Sequence, residues 1–217
     1  MGISKTICLE IEKRLKTIPV KWYGKNSILE MKNAGNRQWR QMEWIGFYFH
    51  FLCEKYLADL FEFQIPRYGN ASFDGLYNIP FDFKAHANAT SPKIPVNDKE
   101  AIEFGIRDYG SVGLIVAGGN VVHDDENKTF QKWHEVLKGK ASEYVLENRR
   151  RGAPSRRRKF CMTLKQILII EITEKTLANC GSFQKGFRNS DGSPRREKVL
   201  INLEKLDKEI IHCIEYL

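Results

Sequence analysis

The stretch VGLIVAGGNVV at 112 to 122 carries no charge over eleven residues and consists mostly of branched and small side chains. It is too short for a bilayer, which needs about 20 apolar residues, and reads as a buried central strand. Just upstream, Asn97 or Asp98 can cap a helix running through Tyr109, and Ile79 to Ala85 alternates in character as a strand does. Strand, helix, strand in that order implies parallel pairing through a right-handed crossover. The expected fold is therefore α/β, a mixed central sheet flanked by helices. Its 217 residues suit a single domain, 1–217, with a sizeable core.

Other elements follow from periodicity. Ser4 can cap a first helix to about Lys16, with Ile7, Ile11, Leu15 and Ile18 at helical spacing, and Pro19 ends it. After the loop-like NAGNRQ at 33 to 38, a long helix is expected from about Arg37 to Leu60, with Met42, Ile45, Phe49, Leu52 and Tyr56 along its apolar side. Glu43 stands among those apolar residues, where burying a carboxylate without a partner is costly. Either a metal site supplies that partner or Glu43 sits at the helix edge. Strands are expected at about 61 to 66, 71 to 76, 79 to 86 and 166 to 172, and helices at about 128 to 148 and 203 to 216. The segment ANATSPKIPVN at 87 to 97 reads as a polar loop. There is no internal repeat, P-loop, GxGxxG or nucleophile elbow.

Residues 73 to 86, FDGLYNIPFDFKAH, hold the most chemistry. On an extended Ile79 to Ala85, Phe81, Phe83 and Ala85 point toward a core, while Asp82 and Lys84 share the opposite face, expected to be open to solvent. A turn at Leu76 to Asn78 brings Asp74 to the same spot. Two carboxylates, with the Phe83 carbonyl, suit a hard cation that takes oxygen ligands, and an amine beside them can stabilise charge developing on a phosphorane. The bland alternative is an edge strand with a surface ion pair.

On these residues the chain resembles the PD-(D/E)xK nuclease superfamily, in particular small type II restriction endonucleases: Asp74 matches the first acid and Asp82-Phe83-Lys84 the D-x-K half. Phe73 stands where the family has proline, and the eight-residue separation of the acids is short, so a tight hairpin must replace the longer connection. The resemblance implies that Asp74, Asp82 and Lys84 are catalytic, that Mg2+ is the cofactor, held by Asp74, Asp82 and Phe83, and that double-stranded DNA is cleaved at specific sequences. Glu43 matches by order an acid that many members carry on the preceding helix, which adds it to the expected catalytic and Mg2+-holding residues. A homodimer is expected from symmetry, since two copies cut both strands of a palindrome. The alternatives are a structure-selective or repair nuclease of the same superfamily and a non-catalytic DNA-binding protein.

Charge supports a nucleic-acid partner. RRRGAPSRRRK at 149 to 159 contains seven basic side chains and no acid, and without them the formal charge of +8 falls to +1. Arg149, Arg150, Arg151, Arg156, Arg157 and Arg158 are thus candidate phosphate contacts, a solvated loop or an import signal being the other readings. A second basic segment at 181 to 198 carries Arg188, Arg195 and Arg196 among glycines and serines. Asn88 and Lys93 are further candidates for DNA contact. Cys8, Cys53, Cys161, Cys180 and Cys213 are scattered without a CxxC pair, which argues against a disulfide framework or zinc ribbon and for a reducing cytoplasm. His123 and His134 read as surface or hydrogen-bonded side chains. The first residues do not read as a secretory signal, and no run is long enough for a membrane span.

Overall fold

Ser4 caps the first helix, α1 (Lys5–Leu15), by accepting the Ile7 N–H at 3.3 Å, and the helix buries Ile7, Ile11 and Leu15 at the expected spacing. The computed structural model describes residues 2–63, 72–87, 91–141, 143–153, 156–188, 192–208 and 211–216. The chain continues through β1 (Lys21–Tyr23) and α2 (Gly24–Asn33). In place of one helix from Arg37 to Leu60 there is a 3-10 turn at Arg37–Arg40, an extended break and α3 (Trp44–Tyr56). Contacts from elsewhere in the chain make that break. The Trp39 carbonyl accepts from the His134 ring at 2.9 Å, and the Trp44 indole N–H donates to the Lys159 carbonyl at 2.7 Å. A carbonyl aimed at another element is aimed away from the helix ladder.

A hairpin follows, β2 (Gly75–Tyr77) and β3 (Ile79–Ala87), reversed at Asn78, whose φ of 56° lies in the left-handed region. Next come β4 (Lys93–Asp98), α4 (Lys99–Tyr109), β5 (Val112–His123), α5 (Thr129–Lys138), α6 (Glu143–Arg150) and β6 (Lys159–Ile172). The chain closes with α7 (Glu174–Cys180), β7 (Gly181–Gln184), β8 (Lys198–Asn202), a 3-10 turn at Leu203–Lys205, and β9 (Ile211–Glu215). Among the described residues no helix is long and apolar enough to cross a membrane.

The fold is mixed α/β in a single domain. The main sheet runs β1-β6-β5-β3-β2, and β9 also pairs with β6, which at 14 residues is long enough to take β1 and β9 on one edge and β5 on the other. β3 and β5 are parallel, as the strand-helix-strand order required, and α4 is the crossover. From Val112 to Gly119, β5 is buried on both faces. Ile115 and Ala117 join Phe81 and Phe83 in a core under α1 to α3, while Leu114 and Val116 join Ile102, Ile106 and Ile201 in a second core on the other side. That second layer includes a small sheet, β4-β8-β7.

Gly113 permits the β3–β5 contact. A Cβ there would fall 2.2 Å from Phe81 ring carbons. Gly113→Ala is expected to lower the unfolding free energy by about 1 to 3 kcal/mol, measured in urea, and an unchanged midpoint would mean that the ring can move aside.

Other expectations are corrected. The loop at 87 to 97 contains β4, because Ile94 and Val96, two apart, bury one face against β8, and Pro95 is tolerated on an edge strand. The helix expected at 128 to 148 is split where Gly139, at φ 74°, ends α5. The strand expected at 166 to 172 begins at Lys159. Instead of a closing helix, Ile211–Glu215 forms β9, filling the edge of β6 that the short β1 leaves open. Of the strand at 61 to 66, a single bridge between Glu62 and Leu76 is found among the described residues.

Candidate functional site

Because the chain reverses at Asn78 alone, Asp74 lands beside β3. Its N–H donates to the Phe81 carbonyl at 2.8 Å, and its carboxylate Oδ2 accepts the Phe83 N–H at 2.7 Å. This is the tight hairpin that the short separation demanded. β2 pairs only with Ile79 to Phe81, so beyond that point β3 has no strand partner on this side among the described residues. The N–H and C=O of one strand residue face the same edge, so the Phe83 carbonyl lies along it too.

Lys84 joins the two acids. Its Nζ lies 3.7 Å from Asp74 Oδ2 and 3.7 Å from Asp82 Oδ1, distances of charge contact rather than short hydrogen bonds. Asp82 was expected on an open face and is instead buried, at 1% exposure, because β4 covers that face. Its Oδ1 accepts from the Asn97 side-chain amide at 3.2 Å, and its Oδ2 has no hydrogen-bond partner. Burial pushes the Asp82 carboxyl up to about 7; Lys84 pulls it back, and Asp74 adds to the rise. Burial alone would lower the Lys84 ammonium, but Asp82 and then Asp74 outweigh it and hold the amine protonated.

A cavity of about 300 Å³ opens at this edge, between the start of α3 and the far half of β3. Asp74, Lys84, Glu43, His50, His86 and Lys159 contribute to its wall. Glu43 is not buried as feared. It precedes α3 with its side chain 81% exposed, 3.9 Å from Lys159 Nζ, so it stands at the cavity rim, and desolvation demands no partner for it.

Sequence reasoning missed three neighbours. His50 Nδ1 lies 3.9 Å from Asp74 Oδ1 and its Nε2 lies 3.7 Å from Glu54, four residues on, the i,i+4 spacing that was its available signal. His86 follows Lys84 by two and shares its side of the strand; burial lowers its pKa. Asn97 was read as a helix cap. Its amide also donates to the Ser72 carbonyl at 3.1 Å, so it ties the chain before Asp74 to Asp82.

The expected DNA contacts fall into distinct places. Asn88 lies outside the described residues. Lys93 is exposed at the start of β4. Arg149, Arg150 and Arg151 are exposed but paired, Arg149 with Glu135 at 3.2 Å and the other two with Glu147 at 3.1 and 2.7 Å. Arg156 and Arg157 are exposed, as are Arg188, Arg195 and Arg196; Arg188 donates to the Gly192 carbonyl at 2.7 Å. Arg158 departs from the expected exposed run. It is 5% exposed and lies 3.0 Å from His134 Nδ1. Arginine has only donors, so His134 is neutral, accepting at Nδ1 and donating from Nε2 to Trp39. Burial pulls the His134 pKa down to about 4. If the exposed part of the run contacts DNA, as the sequence led us to expect, replacing Arg156 and Arg157 by alanine should flatten the salt dependence of binding by about 0.9 in log slope for each phosphate that is no longer neutralised. Arg158→Ala should leave the slope alone and lower the melting temperature. A slope changed by Arg158→Ala would put its guanidinium on the DNA.

Among the described residues all five cysteines are free, four of them buried. No group of three or more His, Cys, Asp or Glu among those residues could hold a metal by itself. Comparisons with protein-family models, curated proteins and solved structures gave no match. Fold and site together define an α/β domain with a carboxylate, amine, carboxylate cluster at the open edge of a strand.

Proposed function

We propose that this chain is a Mg2+-dependent, sequence-specific endonuclease that hydrolyses phosphodiester bonds of double-stranded DNA, in the manner of type II restriction enzymes, and works as a homodimer. The observation that carries the reading is Lys84 Nζ at 3.7 Å from both Asp74 and Asp82, on a strand edge at the wall of a cavity large enough for a phosphate and its waters. The order α3, β2, β3, β4, α4, β5, with β3 and β5 parallel and β4 in the small second sheet, supports the resemblance noted above. Free thiols fit a reducing cytoplasm.

The donor set suits a hard cation. Asp82 Oδ2 is a buried acceptor without a partner, and Asp74 and the Phe83 carbonyl lie on the adjoining edge. Mg2+ commonly uses one or two carboxylates and completes its shell with water and substrate phosphate, so the lack of a third acidic ligand is no obstacle. Bound there, it would supply a hydroxide near neutral pH and neutralise phosphate charge. The protein's own residues do the rest. The Phe83 N–H fixes the orientation of Asp74, Asn97 fixes that of Asp82, and the Lys84 ammonium, kept protonated, donates to the oxygens on which negative charge grows.

Unmethylated plasmid and genomic DNA, incubated with the protein with and without Mg2+, provide the test. Discrete fragments that need the metal support the reading, and DNA left intact under both conditions contradicts it.

A further inference from the structure

The small β4-β8-β7 sheet carries a surface that this chemistry does not use. Phe183 and Phe187 are 45% and 51% exposed; Phe183 lies in β7 and Phe187 on the basic segment that leads from β7 to β8. Both rings stand about half in water and among basic side chains. The ammonium groups of Lys99 and Lys185 lie 5.4 and 5.6 Å from the Phe183 ring centroid, so cations already flank that ring. Phe187, Gln184, Asp98, Arg195, Arg196 and Lys198 line a cavity of about 310 Å³.

That set matches the needs of a nucleobase and its phosphate. The ring offers a stacking face, Gln184 and Asp98 offer a donor and acceptors for a base edge, and the guanidinium and ammonium groups suit the adjoining phosphate. Asp98 Oδ2 accepts a long hydrogen bond from Arg196 at 3.4 Å, and its Oδ1 lies 3.6 Å from Lys198 Nζ, so its two oxygens keep lone pairs for a further donor. Its neighbour Asn97 is bonded to Asp82, which places this cavity and the cleavage site at one strand.

The geometry points to a pocket for one unstacked nucleobase of bound DNA, with Phe187 as its stacking platform; this rests on the reading of the chain as a DNA nuclease. The substrate is then duplex DNA that is opened at one position, beyond a duplex read only from its grooves.

The test uses the full chain in EDTA and fluorescence titration of two 2-aminopurine duplexes of one sequence, one fully paired and one with an abasic position opposite the label. Wild type should bind the unpaired probe at least about tenfold more tightly, the worth of one aromatic stack. Phe187→Ala should cut that ratio about tenfold, and Phe187→Tyr should keep it. Equal affinities in wild type, or a ratio unmoved by Phe187→Ala, would overturn the pocket. Mg2+-dependent cleavage by wild type and Lys84→Ala is scored separately. If wild type leaves DNA intact with Mg2+ while Phe187→Ala loses the ratio, the pocket stands and the nuclease reading falls; if wild type cuts, Lys84→Ala does not and the ratio is unmoved by Phe187→Ala, the pocket alone is removed.

Discussion

Lys84→Ala is expected to reduce DNA cleavage by at least ~10³-fold while leaving binding in EDTA within a few-fold of wild type. Among the described residues the amine is the one cation in charge contact with both acids, and its side chain is partly exposed at the cavity wall rather than packed in the core. Burial works against its charge, and only Asp82 and Asp74 hold the proton on it, so a neutral side chain there removes the group that meets the developing phosphorane charge. Binding should survive because the exposed basic residues lie on other elements. Cleavage by Lys84→Ala at the wild-type rate would place the chemistry elsewhere.

Asp82→Asn should abolish cleavage and yet yield a more stable protein at pH 8 without metal. Burial raises the Asp82 carboxyl from 3.8 to about 7. A group whose folded pKa is raised contributes stability that is fully present below its unfolded value and lost as pH rises through the folded one. Wild type should therefore lose stability between about pH 4 and pH 7, and asparagine, which mimics the protonated acid, should not. The difference at pH 8 is roughly 4 kcal/mol at most, at ~1.4 kcal/mol per pH unit. Thermal melts of both proteins across this range check it: the curves should meet near pH 4 and part above it. A variant less stable than wild type at pH 8 would show that Asp82 serves the fold rather than the chemistry.

The central sheet was legible because β5 is uncharged throughout and its upstream helix and strand leave only a parallel crossover. The hairpin was legible too, since the acids' short separation demanded a tight one, although the turn expected over Leu76 to Asn78 is confined to Asn78, with Leu76 and Tyr77 paired in β2. Burial of Asp82 was not, because the strand that covers it, β4, hid inside a segment that looked polar, with only Ile94 and Val96 to betray it. Arg158 was misplaced for a related reason. Composition gives six alike arginines, and only the fold brings one of them to the ring of His134, 24 residues away in sequence. Likewise β9 has helical-looking residues, and what decides its form is a vacant edge of β6 that no local pattern reveals.

The claim that Asp74, Asp82 and Lys84 form one metal-dependent cleavage centre is tested most directly by the single-turnover rate of plasmid cutting on addition of Mg2+ to wild type, Asp74→Ala, Asp82→Asn and Lys84→Ala, each matched in circular dichroism and in DNA binding in EDTA. Wild type should cut only after Mg2+ is added, and all three variants should fall by at least ~10³-fold. Cutting that persists in EDTA, or any one of the three variants working at the wild-type rate, would contradict it.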